Sequence, residues 1–208
     1  MKLIFTADDE AKIISGPMEA DVFLLGNGEA EVKITAFGKK PVVRRFESFA
    51  AKVAKKLSKE DVERVYFIAE GGSDTELCMR ESRKIKPSHR EYMFALKPDP
   101  DRKNEEGAEL LLTNGVEEEE DTIIVRSGEK GIFTAKLRSY NGGMYIYSVE
   151  VREDMRHCGY GTKYMKSIAY AFRDTKLYLQ VGSPNEIACR LYRHAGFEVE
   201  TELVYYTL

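Results

Sequence analysis

The sequence predicts an α/β protein: a mixed, mostly antiparallel sheet flanked by helices, preceded by a second, smaller α/β module. Three observations carry this. Across residues 145–174 the apolar pattern changes from a period of two to a helical period over a glycine-bearing turn, which is a strand feeding a helix. A second strand and helix follow over 176–196. The order strand, helix, strand, helix, strand already runs once, over residues 31–97, before it runs again from 145 to 206.

Taken in order, Val22–Leu25 and Glu31–Phe37 read as a hairpin about Gly26-Asn27-Gly28. Phe46, Phe49, Ala50, Val53, Ala54 and Leu57 recur at helical spacing, so Phe46–Leu57 is a core-facing helix. Val65–Ala69 is a short apolar strand, Ser73 opens a weaker helix to Arg83, and Tyr92–Leu96 is a strand ended by Lys-Pro-Asp-Pro. The charged, proline-bearing stretch Pro98–Glu106 reads as the connection between two modules, residues 1–100 and 101–208. Beyond it, Leu110–Leu112, Ile123–Arg126, Ile132–Leu137 and Tyr145–Val151 form a run of four antiparallel strands. The acidic run Glu117–Asp121 is a solvated loop.

Tyr160–Asp174 follows as an amphipathic helix with Met165, Ile168, Ala169 and Phe172 on one face. Lys176–Val181 is the next strand. Ser183-Pro-Asn-Glu186 announces a helix by a capping box, with Ile187, Ala188, Leu191 and Ala195 as its buried stripe and Gly196 as its stop. Glu198–Thr207 supplies the closing strands.

Composition removes several classes of function. At 208 residues the chain can bury one good core or two small ones. Three cysteines, Cys78, Cys158 and Cys189, are odd in number and lack ligand spacing, which argues against a disulfide scaffold or a metal cluster and for a reducing cytoplasm. Met1-Lys-Leu-Ile-Phe-Thr runs into Asp8-Asp9-Glu10 too soon for a signal peptide, and no stretch is long enough to span a membrane. A net charge of −3 gives no support to nucleic-acid binding.

The chemistry is concentrated in Arg156-His157-Cys158-Gly159-Tyr160-Gly161-Thr162. Glycines at the mouth of a helix let a ligand approach the backbone, and the unpaired amides there attract an anion such as a diphosphate. A dinucleotide loop is the poorer reading, since the third glycine and the following acidic residue are missing.

Val151, four residues, then Arg156-x-x-Gly159-x-Gly161 resembles the acetyl-CoA motif of the GCN5-related N-acetyltransferase (GNAT) superfamily. Asn185-x-x-Ala188-x-x-Leu191-Tyr192-x-x-x-Gly196-Phe197 is similar to the second signature of the same superfamily, at the matching distance. The resemblance covers residues 108–208 and implies a GNAT-type sheet with a splayed central pair of strands. It implies an N-acetyltransferase that moves an acetyl group from acetyl-CoA to a primary amine in a ternary complex. Acetyl-CoA and an unidentified amine are then the partners, with no metal, no nucleic acid and no membrane, in a monomer or homodimer. By the same resemblance the backbone of Val149 and Val151 would hold the pantetheine arm. The amides from Arg156 through Thr162 would hold the diphosphate, and Asn185 would bond the arm or a water. His157 and Cys158 stand where the family usually has glycine and a basic residue, which bears on affinity.

Tyr192 corresponds to the tyrosine that is general acid in many members, and a phenol stays protonated at neutral pH. Glu150, between Val149 and Val151, is the candidate base; a solvent-facing strand glutamate is the alternative. Cys158 lacks a neighbouring base and is not read as a nucleophile. Two broader alternatives stand: a non-catalytic acyl-CoA sensor or interaction module that retains the cleft without turnover, and, for residues 1–100, either a degenerate acetyltransferase-like module or a helical cap plus the first strand of one enlarged domain. In the former case Gly38-Lys39-Lys40-Pro41 would replace the cofactor turn, with a proline removing an amide.

Overall fold

The computed structural model describes residues 2–7, 10–15, 18–25, 27–37, 42–104, 108–114, 122–127 and 131–208. The stretches 38–41 and 117–121, to which the sequence assigned a turn and an acidic loop, lie outside them. The chain forms two compact units, residues 1–90 with 202–208, and residues 91–201.

In the first unit β1 (Lys2–Ala7), β2 (Glu10–Ser15), β3 (Met18–Leu25) and β4 (Glu29–Phe37) run antiparallel in sequence order. The hairpin at Asn27-Gly28 is the one the sequence marks, while β1 and β2 go beyond its reading. Helix α1 (Val43–Leu57) buries Phe46, Phe49, Ala50, Val53 and Leu57, the apolar spacing that predicts it, each contributing roughly 1.5–3 kcal/mol for the larger side chains. The chain then enters β5 (Arg64–Glu70), parallel to β4 through Glu29↔Arg64 to Lys33↔Ile68. Helix α2 (Asp74–Glu81) is capped by Ser73, whose hydroxyl accepts from the Glu76 amide at 3.1 Å. Phe46 meets Phe67 edge-on, with ring centroids 5.7 Å apart.

The second unit begins within β6 (Lys86–Leu96), at Glu91. β7 (Leu110–Asn114), β8 (Thr122–Ser127), β9 (Phe133–Tyr140) and β10 (Gly143–Val151) are the four antiparallel strands read from the sequence. Helix α3 (Tyr160–Ala171), β11 (Leu177–Gly182) and helix α4 (Glu186–His194) follow, and β12 (Glu198–Thr207) closes the chain. Tyr164, Met165, Ile168 and Ala169 of α3 and Cys189 and Tyr192 of α4 share a core with Phe94, Phe133, Leu137, Ile146, Leu177 and Leu179.

The last strand of each half of the sequence serves the other unit. β11 pairs antiparallel with β6, Leu177↔Leu96 through Gly182↔Glu91, while β12 pairs antiparallel with β5, Leu203↔Glu70 through Thr207↔Tyr66. The strand orders β1-β2-β3-β4-β5-β12 and β7-β8-β9-β10-β11-β6 are therefore the same pattern. This is why the division falls between Arg90 and Glu91 and not in the Pro98–Glu106 stretch: β11 needs Glu91–Leu96 as its neighbour. Glu198–Thr207 is one strand, whose final residues complete the first unit.

Two details of α4 differ from the sequence reading. Asn185, not Ser183, caps the helix, its side-chain oxygen accepting from the Ala188 amide at 3.1 Å. Ile187 is 59 % exposed, and Cys189 and Tyr192 carry the burial in its place. Cys189 and Tyr192, three residues apart, share the inward face of the helix, on which Ile187 does not lie.

In the first unit Val204 and Tyr206 of β12 lie in the core, and the Tyr206 hydroxyl donates to the buried Glu76 carboxylate at 2.6 Å. Ending the chain after Thr201 should cost the first unit about 3–6 kcal/mol from the loss of these two side chains alone. Amide exchange of Tyr66–Glu70 measures it: these amides should lose protection, and retained protection would show that β12 is dispensable.

Candidate active site

β10 and β11 are parallel neighbours for only a short length. Their register runs Met144↔Leu177, Tyr145↔Tyr178, Ile146↔Leu179 and ends there, although β10 continues to Val151 and β11 to Gly182. The cause lies in β10. Between Tyr147 and Glu150 its pairing with β9 shifts by one residue, and Ser148 takes φ +47°. Such a bulge adds a residue to one strand, bends it and increases its twist. Beyond Ile146 the edge of β10 that faces β11 is released from the ladder, leaving main-chain groups that an extended ligand can pair with.

The bulge also exchanges faces. A plain alternation would set Tyr145, Tyr147, Val149 and Val151 on one side. Instead Tyr145 and Tyr147 lie opposite Arg138 and Lys136, whereas Val151 lies opposite buried Phe133, and Val149 and Val151 pack against the core. Glu150, opposite Thr134, is exposed on the face of the two tyrosines.

A single 3₁₀ turn, Glu153–Met155, then leads into the motif turn. The Arg156 side chain folds back, its Nε donating to the Val151 carbonyl at 3.1 Å, which ties the end of β10 to the turn. That engages one of the acceptors the sequence assigned to the pantetheine arm, although a carbonyl oxygen has two lone pairs. His157 (φ +61°) and Gly159 (φ +82°) are both left-handed. Gly159 is the residue before α3, and a Cβ built on it would meet nothing within 4 Å, so this side of the turn is open. A Cβ on Gly161 would lie 2.5 Å from Leu191 Cδ1, so this glycine serves close packing of α3 on α4. The two motif glycines thus do different work.

Among the described residues no side chain caps α3, and the first backbone bond into it runs from the Lys163 amide to the Gly159 carbonyl at 3.0 Å. The Arg156 amide, which the sequence reading offered to the diphosphate, instead donates to the Glu153 carbonyl at 3.2 Å; the amides between it and Lys163 are those a helix start leaves for a ligand, and the helix dipole favours an anion there. Arg156, His157, Cys158 and Gly159 are exposed, and Tyr160 and Thr162 are half-buried. The ring of Tyr160 stacks on Tyr164, which stacks on Phe133, so this side chain is committed to packing.

Tyr192 is 8 % exposed, with Phe94 and Phe197 centroids 6.0 and 6.3 Å away. Among the described residues none hydrogen-bonds its hydroxyl. Burial, and secondarily Cys189, pushes its phenol up to about 12. The structure therefore brings Tyr192 in from the helix side and Glu150 from the opposite side of the sheet. Asn185 stands at the start of α4 with its oxygen committed to the cap.

The family model of the acetyltransferase (GNAT) family matches residues 83–197, more than half of the chain. No curated protein matches the sequence. Among solved structures, a GCN5-related N-acetyltransferase from Kribbella flavida is similar at a TM-score of 0.71 and 16% identity, over 96% of this chain and 89% of that one. One from Sphaerobacter thermophilus gives 0.67 and 14%, over 97% and 81%. A tandem GNAT protein from the clavulanic acid biosynthesis pathway gives 0.65 and 10%, over 98% and 84%. At these identities the likeness is one of fold.

The buried phenol has a consequence at high pH. An unfolded tyrosine gives up its proton near pH 10, and Tyr192 in the fold only near 12, so between these values the unfolded chain binds fewer protons and stability falls as pH rises. The Tyr192 contribution is fully present below pH 10. Thermal unfolding from pH 9 to 12 should show a decline that is shallower in Tyr192→Phe; equal slopes would mean that Tyr192 is solvated.

Proposed function

Because the chain belongs to the acetyltransferase (GNAT) family, we propose that it transfers an acetyl group from acetyl-CoA to a primary amine by direct attack in a ternary complex. The observation that carries this reading is the coincidence in one unit of three things. These are a strand edge freed beyond Ile146, an uncapped helix start at Gly159, and a protonated phenol at Tyr192 whose hydroxyl has no partner among the described residues.

The amides of residues 157–162 bind the diphosphate, helped by the open space at Gly159, while that of Arg156 stays with the Glu153 carbonyl. The freed edge of β10 at Val149 and Val151 pairs with the pantetheine amides as a further strand would. The amide nitrogen of Asn185 bonds the arm, directly or through a water. The amine nitrogen attacks the thioester carbonyl, a C–N bond forms, and the C–S bond breaks. Tyr192 supplies the proton that the departing thiolate takes up, and Glu150 accepts the proton lost by the amine, directly or through a water. A phenol pushed up to about 12 holds its proton across any working pH, which suits a proton donor. Cys158 takes no part in transfer.

Residues 1–90 with 202–208 are, in this reading, a degenerate second acetyltransferase-like module. The shared strand order supports this, as does a shift in the β3–β4 register that skips Thr35, just beyond the last β4–β5 pair, Lys33↔Ile68. Both α2 and α4 are capped by a polar side chain, at Ser73 and Asn185, but seven residues on stands Arg80 in the first and Tyr192 in the second. An arginine cannot serve as the acid. The likeness to a tandem GNAT protein agrees with a chain of two such modules.

Calorimetry with acetyl-CoA and steady-state transfer test the reading together. Tyr192→Phe should lower kcat about 100-fold with the acetyl-CoA Kd unchanged; full turnover would remove Tyr192 from the acid role. Glu150→Gln should lower kcat and shift its pH dependence, and an unaltered profile would assign the base elsewhere. Absence of acetyl-CoA binding would end the proposal.

A further inference from the structure

Resting on the acetyltransferase reading above, we infer that the acceptor amine belongs to an acidic polypeptide segment that lies across β8, β9 and β10 on the face of the second unit's sheet away from its helices. Both helices of this unit, α3 and α4, pack on the core face with Phe133, Leu137 and Ile146. An acceptor therefore approaches the splay from the other face, the one that carries Glu150.

Strand register fixes what it meets there. Side chains paired across neighbouring strands share a face. Arg126, Thr134 and Glu150 make one row across β8, β9 and β10; Ile124, Lys136 and Tyr147 make the next; Arg138 and Tyr145 stand in the third. The Arg138 guanidinium lies over Tyr145 at 5.5 Å and over Tyr147 at 5.6 Å, and the Lys136 ammonium over Tyr147 at 6.0 Å. Arg126 and Arg138 are both exposed. The two exposed guanidiniums, Arg126 and Arg138, thus accompany the single carboxylate of these rows.

Two features select the ligand. The sign of the charge disfavours a free polyamine and favours carboxylates flanking the reacting amine. The dimension disfavours a small molecule, because four residues of β9, Thr134 to Arg138, separate the Glu150 row from the Arg138 row, about 13 Å along the strand. A molecule that reaches Glu150 and Arg138 together is several residues long. The tyrosine rings between them offer an amphipathic surface to its backbone and apolar side chains.

The test uses the full chain, with acetyl-CoA present, and two readouts. The first is acetyl transfer to a lysine peptide flanked by Asp and Glu, to the same peptide flanked by Arg, and to spermidine. The acidic peptide should have the highest kcat/KM by about tenfold, and an Arg126→Glu/Arg138→Glu variant should invert the order of the two peptides while leaving the acetyl-CoA Kd unaltered. Spermidine or the basic peptide as the better acceptor of the native chain, or an order untouched by the charge reversal, overturns the inference. The second readout is fluorescence anisotropy of the labelled acidic peptide, which needs no turnover. Peptide binding that the double variant abolishes supports the inference even where transfer fails, in which case the acetyltransfer reading alone falls. Absence of binding, or tighter binding of a single-stranded oligonucleotide, overturns the inference even where small amines are acetylated.

Discussion

The site depends on a failure of pairing. β10 and β11 hold together through Ile146 and Leu179 and then part, because the extra residue at Ser148 bends β10 away while β9 keeps its hold on Glu150 and Val151. Backbone polar groups without a partner are costly when buried and useful when a ligand can supply the bond. The released edge is kept in place by side chains: Val149 and Val151, half-buried, pack against the core, and Arg156 ties the last carbonyl of the strand to the turn. The strand is thereby anchored from one face and from its end, and left open along its edge.

That arrangement was only partly legible in the sequence. Val151, Arg156, Gly159 and Gly161 mark the strand end, the turn and the helix start, and the family match agrees with the family that the two linked signatures imply. The four-strand run and the helices at 46–57 and 160–174 follow from periodicity, because in each case burial on one face repeats at the period of the element. What periodicity conceals is the bulge. The sequence Tyr145-Ile-Tyr-Ser-Val-Glu-Val151 alternates without a break, yet the structure inserts a change of face in its middle. The signal was the change of residue type, aromatic before Ser148 and β-branched after it: tyrosine tolerates a half-exposed face, and valine goes to the core. The start of α4 was misplaced for a similar reason. Ser183 and Asn185 are both good caps, and only the observed bond to the Ala188 amide separates them.

The module boundary was concealed by something other than propensity. Pro98–Glu106 has the composition of a linker, but composition reports on local chain stiffness and solvation, whereas the boundary is set by which strand completes which sheet. β6 and β12 are local to one half of the sequence and structural to the other. Such a pairing leaves no mark on either strand. It follows from the shared strand order of the two units, which becomes visible once the pairs are known.

The exchange of closing strands also sets an order of events in time. β5 waits for a neighbour that stands more than 130 residues further along the chain, so the pairing of Tyr66–Glu70 with Leu203–Thr207 closes a very long loop. The second unit has all its strands once residue 182 has left the ribosome; the first, although made earlier, stays one strand short until synthesis passes residue 207. The first unit is thus the last to finish folding, with the rim of β5 exposed to any passing strand throughout translation.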